Sequence, residues 1–261
     1  MHSYEHLGRT VRLGKGPVKH DDRTLRLARY LRELPPAPPV RRWSTAVTSW
    51  PMFMNDLVGD CTCAAAAHME LAWSSNNGSP WRATDKQVLQ AYMAVGGYDP
   101  EVGESTDNGA NMLDLLNYWR RLGIGGKKID AFVALDVKKR EEFKAAINLF
   151  GAVYIGLDLP VSAQNQATWK VSVAGTQGDP SPGSWGGHAI AAFDYDDDGQ
   201  DDDDGLWIAT WGGLQKLTWR WLDGYASEAY ACLSSNWADA DGAPSGFAHD
   251  ELKADLSAVA S

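Results

Sequence analysis

The 261-residue chain is 44% hydrophobic with a formal net charge of −10, enough apolar material for one large domain or two small ones. The charge is uneven, since residues 1–42 hold 10 Lys and Arg against 4 Asp and Glu, a balance of +6 that leaves −16 on the remainder. An acidic body argues against nucleic acid as the main partner, no apolar run is long enough for a membrane span, and three cysteines are too few for a disulfide scaffold.

Residues 1–20 lack both periodicity and the apolar core of a secretory signal, so a cytoplasmic or virion-associated location is expected. Leu25, Leu27, Ala28 and Leu31 are spaced for a short amphipathic helix over Arg23–Leu34, which Pro35-Pro36 ends. Residues 1–40 thus read as a basic arm with a Pro-rich linker. It lies on its own acidic domain, reaches a protein assembly partner, or is a partly disordered terminal segment. Helices are expected over Cys61–Ser75 with Asp60 as cap, from the Thr84-Asp85 cap to Val95, over Asn108–Leu122 and over Lys138–Phe150. The period then shortens. Strands are expected at Ala152–Leu159, Val171–Ala174, His188–Tyr195, Leu206–Trp211, Leu214–Trp221 and Ala229–Leu233, before a weakly patterned tail over 238–261. Helices first and strands later predict an α+β domain over 41–237. Its helical half (52–150) packs on an antiparallel β half (151–237), with a cleft between them.

Cys61 opens a helix, where free backbone N–H groups and the helix dipole favour thiolate over thiol. The plainer alternative is a buried cysteine in an alanine-rich core helix. His188 begins a strand after Gly186-Gly187 and could face that helix start as general base. Asn55, six residues before Cys61, could join the Cys61 backbone N–H as oxyanion donor. Cys63 lacks a Gly at −2 and an amide at −6, so it is the poorer nucleophile. Cys-x-Cys without a second pair is a poor zinc signal. His68 reads as a packed or surface side chain, and His2, His6, His20 and His249 show no cluster spacing.

These residues resemble the papain-family (clan CA) cysteine peptidases, which carry a Gln six before the catalytic Cys and a Gly two before it. Asn55, Gly59 and Cys61 keep that spacing. His188-Ala-Ile-Ala-Ala-Phe-Asp-Tyr195 is similar to the family's His-Ala-Val-Ala-Ala-Val-Gly-Tyr, and Ala209-Thr210-Trp211-Gly212 stands where the family has Asn-Ser-Trp-Gly. The likeness runs from about residue 40 to 235, nearest in appearance to bacterial and phage papain-like proteins. It implies a cysteine-dependent hydrolase of peptide or other amide bonds. Cys61 would be nucleophile, His188 acid and base, and the intermediate an acyl-thioester, with no cofactor required for catalysis. Three departures stand out: Asn55 for Gln, Thr62 for an aromatic, and Ala209 for the Asn that orients the family's His. The adjacent Thr210 hydroxyl is the substitute expected to hold the imidazole. The arm occupies the place of the family's inhibitory propeptide but is shorter. Its helix could occlude the cleft, although docking is the favoured reading. Two alternatives remain open: a papain-like structural or binding module such as a virion component, and a peptidoglycan amidase.

Asp194, Asp196, Asp198 and Asp202 fit D-x-D-x-D-G-x-x-D, the spacing by which calcium loops gather oxygen ligands, although Gly205 replaces the bidentate Glu at position 12. Structural calcium is expected there, against the alternative of a solvated hairpin tip.

Overall fold

In the computed structural model, the described residues are 2–30, 36–171, 178–199, 203–237 and 243–245. The chain opens with a hairpin, β1 (Ser3–His6) and β2 (Arg9–Arg12), followed by a turn of helix α1 (Leu27–Tyr30) and strand β3 (Val40–Arg42). The helical half holds α2 (Cys61–Asn76), α3 (Asp85–Gly96) and α4 (Met112–Arg121). Strand β4 (Ala131–Ala134) and helix α5 (Arg140–Phe150) lead to β5 (Val153–Leu159), β6 (Thr168–Trp169), β7 (Gly186–Asp196), β8 (Gly205–Thr210) and β9 (Gly213–Thr218). Helix α6 (Trp219–Tyr225) and strand β10 (Ala226–Leu233) complete the set.

The sheet runs β4-β10-β5-β7-β8-β9-β6, with β3 also on β7, and is antiparallel except where β6 meets β9. Strand β7 lies between two cores because its alternate residues face opposite sides. Ala189, Ala191 and Phe193 pack with α2, while Ile190 and Ala192 pack with Phe143 and Ile147 of α5. Helix α2 is buried on every side from Cys61 to Ser74. Its run of alanines, 64–67, is narrow enough for β7 to approach closely. This is the α+β arrangement expected, two halves meeting along α2 and β7.

Several boundaries differ from expectation. The strand from Leu214 stops at Thr218, whose hydroxyl accepts the Trp221 N–H and opens α6, because a cap outweighs the aromatic β signal. Asp60 stands at the N-cap of α2, yet its side chain makes no cap bond. It is fully buried, and burial drives its carboxyl well up. The helix starts instead through the Asp60 carbonyl, which accepts the N–H groups of Cys63 and Ala64. The hairpin, β3, β4 and β6 lie outside the strands expected from the sequence. Of the arm helix expected over Arg23–Leu34, Leu27–Tyr30 is helical and 31–34 lie outside the described residues, as do 172–174 of the expected strand Val171–Ala174. No helix among the described residues is long and apolar enough to cross a membrane.

Candidate active site

The two halves meet where α2 begins and β7 begins. The Ala189 N–H lies 3.4 Å from Cys61 Sγ, so the sulfur sits against the strand one residue from His188. His188 Nε2 is 2.7 Å from Thr210 Oγ1, and the ring stacks on Trp211 with centroids 4.2 Å apart at 21°. Nδ1 is buried without a hydrogen-bond partner. With Nε2–H donating to the hydroxyl, Nδ1 keeps its lone pair, which is the form that takes a proton. Ala209 faces the α2 core opposite Ala191 and offers no polar group.

Trp211 holds φ 43°, a left-handed conformation unusual for a side chain of its size. The arm braces it there. Arg9 donates to the Trp211 carbonyl at 2.9 Å, and the indole N–H donates to the Arg12 carbonyl at 3.2 Å. His6 adds its ring 5.0 Å from Trp211 and is fixed by Gln164 O and Gln215 Oε1.

Residues 13–16 of the arm then pass through the cleft beside Cys61. Gly14 N–H and Lys15 N–H reach Gly187 O on the β half at 3.2 and 3.1 Å. On the helical half, Ala110 N–H donates to Gly14 O at 2.8 Å and Gly16 N–H to Ala110 O at 2.9 Å. The fit depends on missing side chains. A Cβ on Gly14 would stand 1.8 Å from Gly59 O, one on Gly109 2.2 Å from Gly14 O, and one on Gly187 2.2 Å from Lys15 O. The arm therefore lies in the cleft, and it does so through this extended segment rather than through its helix. Arg12 pairs with Asp107 at 3.5 Å, and Asp107 also accepts the Gly59 N–H and the Tyr92 hydroxyl, which ties the arm to the loop before Cys61.

Burial disfavours the charged forms of both Cys61 and His188. Burial pushes the Cys61 thiol up to about 12, with Asp60 adding to the rise and the backbone groups of Ala189 and Gly14 opposing it. Burial, with His6 in support, pushes His188 down to about 3. In this covered state the helix start does not offset the loss of water over the sulfur, so burial favours the thiol over the thiolate. Cys63 and Cys232 are also free and buried, with thiols raised by the same cause.

Asn55 is buried, with its side-chain amide donating to Val58 O at 3.2 Å and its main-chain carbonyl accepting the Arg12 N–H at 2.8 Å. His68 is packed inside, its Nε2 2.8 Å from Pro51 O. The carboxylates of the calcium pattern are partly committed to protein groups. Asp194 accepts from the backbone of Trp43 and Ser44 and from the Ser44 hydroxyl, and Asp196 is paired with Arg42 and Lys216. Asp202 lies outside the described residues, among which no group of three or more metal-ligating side chains forms. Sequence reasoning missed Lys15, Asp158, Glu228, Asp107 and His6. A signal existed for two of them: Gly14-Lys15-Gly16 brackets one cation with glycines, and Glu228 interrupts an apolar strand.

No family model matches the chain, and no curated protein sequence does. Among solved structures, it is similar to xylellain, a cysteine protease from Xylella fastidiosa, with a TM-score of 0.65 at 12% identity over 88% of this chain and 98% of that one. It is similar also to the cysteine protease and lectin-like domains of Cwp84 from Clostridium difficile (TM-score 0.59, 12% identity, 85% of this chain and 55% of that one). Procathepsin B from Trypanosoma congolense gives 0.55 at 12%, over 85% and 86%. The fold is that of the papain-like cysteine proteases.

Proposed function

We propose that the chain is a latent cysteine-dependent hydrolase of peptide or other amide bonds. The observation that carries this reading is the pairing at the cleft: Cys61 Sγ against Ala189 N–H, and a neighbouring imidazole anchored on Thr210 with Nδ1 unspent. In the open state His188 Nδ1 takes the Cys61 proton, and the sulfur attacks the carbonyl. The imidazolium then returns the proton to the leaving amine, and water hydrolyses the acyl-thioester. The Cys61 backbone N–H and the Asn55 amide are the oxyanion donors in this scheme, Asn55 having first to leave Val58 O. Thr210 fixes the ring tautomer, the task that Ala209 cannot perform. The arm accounts for the buried, neutral pair, since its departure returns water to the sulfur. Among the similar structures, the cathepsin B form is itself a procathepsin.

The test is made on the full-length Gly14→Ala chain, whose added Cβ cannot coexist with Gly59 O and so unseats residues 13–16. An epoxide or iodoacetamide is expected to label Cys61 there faster than Cys63 and Cys232, and casein-derived peptides are expected to be cut. Cys61→Ala and His188→Ala in that background abolish cutting. Labelling of Cys61 no faster than of the other two cysteines would sink the proposal. A second reading, a papain-like binding module, is favoured by Ala209 and by the covered sulfur. Rapid labelling without turnover of any amide would select it.

A further inference from the structure

The arm segment in the cleft also marks what the cleft reads. Main-chain bonds to Gly187 and Ala110 hold it on both sides, and such bonds accept any sequence. Selectivity must come from side-chain pockets. One such pocket is built around Lys15, next to the residue lying at Cys61.

The Lys15 side chain is 2% exposed, which is rare for lysine. Its ammonium lies 3.3 Å from Asp158 Oδ1, 3.7 Å from Glu228 Oε1 and 3.3 Å from Gly16 O. Glu228 is held by its other oxygen, which accepts the Tyr230 hydroxyl at 2.9 Å, while Oε1 is buried with no hydrogen-bond partner. Ser227 donates to Asp158 Oδ1 at 3.2 Å and steadies the second carboxylate. Gly156 leaves the bore open, because a Cβ there would stand 2.5 Å from Lys15 Cε and 2.7 Å from Met112 Sδ. Past Gly156 and Met112 the pocket ends in two carboxylates, Asp158 with its side chain 43% exposed and Glu228 buried with Oε1 facing the Lys15 ammonium and making no hydrogen bond.

We propose that, once the arm leaves, this pocket is a specificity subsite for a lysine or arginine side chain of the substrate, so that peptides with a basic residue beside the cleaved bond are the preferred class. The proposal rests on the hydrolase reading for its link to cleavage, but the pocket's selectivity is measurable without turnover. Burial pushes the Glu228 carboxyl up and the Lys15 charge opposes this, so the pocket is most acidic in character when a cation is present.

The experiment uses the full-length Gly14→Ala chain, with full-length Lys15→Glu as a second route to an unseated arm should the first not fold. Two readouts are taken. In the first, the pentapeptides Val-Leu-Gly-Lys-Gly and Val-Leu-Gly-norleucine-Gly are compared as protectants of Cys61 against iodoacetamide. The lysine peptide is expected to protect at a concentration at least tenfold lower, and Glu228→Gln is expected to shrink that ratio below threefold. In the second, fluorogenic peptide amides are scanned with Lys, Arg, norleucine and Glu at each position. One position is expected to favour Lys and Arg by at least tenfold in kcat/KM. Equal protection by the two pentapeptides, or none by either, overturns the pocket assignment, whether or not peptides are cut. Selective protection with no peptide cut supports the pocket and instead removes the hydrolase reading.

Discussion

His188 is held by one hydroxyl, and this makes Thr210 the residue on which the imidazole's orientation turns. Thr210→Val leaves Nε2 buried and unpaired, a loss of about 1–3 kcal/mol. In the arm-unseated chain this corresponds to a fall in kcat of roughly 10- to 100-fold, and Thr210→Ser, which keeps the hydroxyl, is expected to recover most of it in the same steady-state assay. The sulfur gives a pH signature. With its thiol pushed up to about 12 in the covered chain, Cys61 is neutral at pH 7 and alkylates more slowly than free cysteine, whose pKa is about 8.5. The alkylation rate of the covered chain should keep climbing up to about pH 12, whereas that of the Gly14→Ala chain should level off at a lower pH. At this scale the sequence spoke through spacing: Asn55, Gly59 and Cys61 lie within seven positions, and Thr210 was found as the neighbour of an absent Asn. Lys15 and Glu228, more than 200 positions apart, meet only through the fold and left no such spacing.

Among the elements, α2 depends on being enclosed. Its buried His68 is fixed to Pro51 O and pushed down to about 4 by burial. The folded-state value lies below the ordinary 6.5, so the unfolded chain binds the proton first as pH falls. The stability contribution is full above pH 6.5 and is lost as pH falls towards 4, roughly 3 kcal/mol in all. Urea midpoints measured from pH 7 to pH 4 should fall less steeply for His68→Phe than for the parent. Packing sets a second limit. Ala67 is fully buried in the α2 core, so Ala67→Leu overpacks the site and should cost about 1–3 kcal/mol in urea denaturation. Element types were legible where one face was polar, as in α4 and α5 with their charged outer residues. Helix α2 has no polar face to reveal a period, and its run of alanines is the local sign of a helix. Trp219 and Trp221 looked like strand because nothing local shows that Thr218 caps a helix.

Across the whole molecule, the basic arm and the acidic body foreshadowed an intramolecular contact. Arg12 meets Asp107 and Glu104, Lys15 meets Asp158 and Glu228, and Lys19 meets Asp114. The charges could not show where the arm lies, since the slot is cut by glycines from three separate segments. The arm is also part of the core. Val11 and Leu13 are buried among the residues of the sheet's α5 side, with Leu13 against Gly186. Leu13→Ala should therefore lower stability by about 2–5 kcal/mol, measured by thermal melting, and should speed Cys61 alkylation at the same time. A lid that merely rested on the surface would change the second without the first.

The glycine-walled track has a kinetic consequence. Because residues 13–16 are covalently joined to the cleft they fill, they act as a tethered competitor whose effective concentration is independent of how much protein is in the tube. Dilution then leaves the chain as closed as before. An incoming peptide meets an apparent affinity discounted by the small fraction of molecules whose tether is out, so turnover in the parent chain should rise with substrate long after an untethered cleft would have saturated.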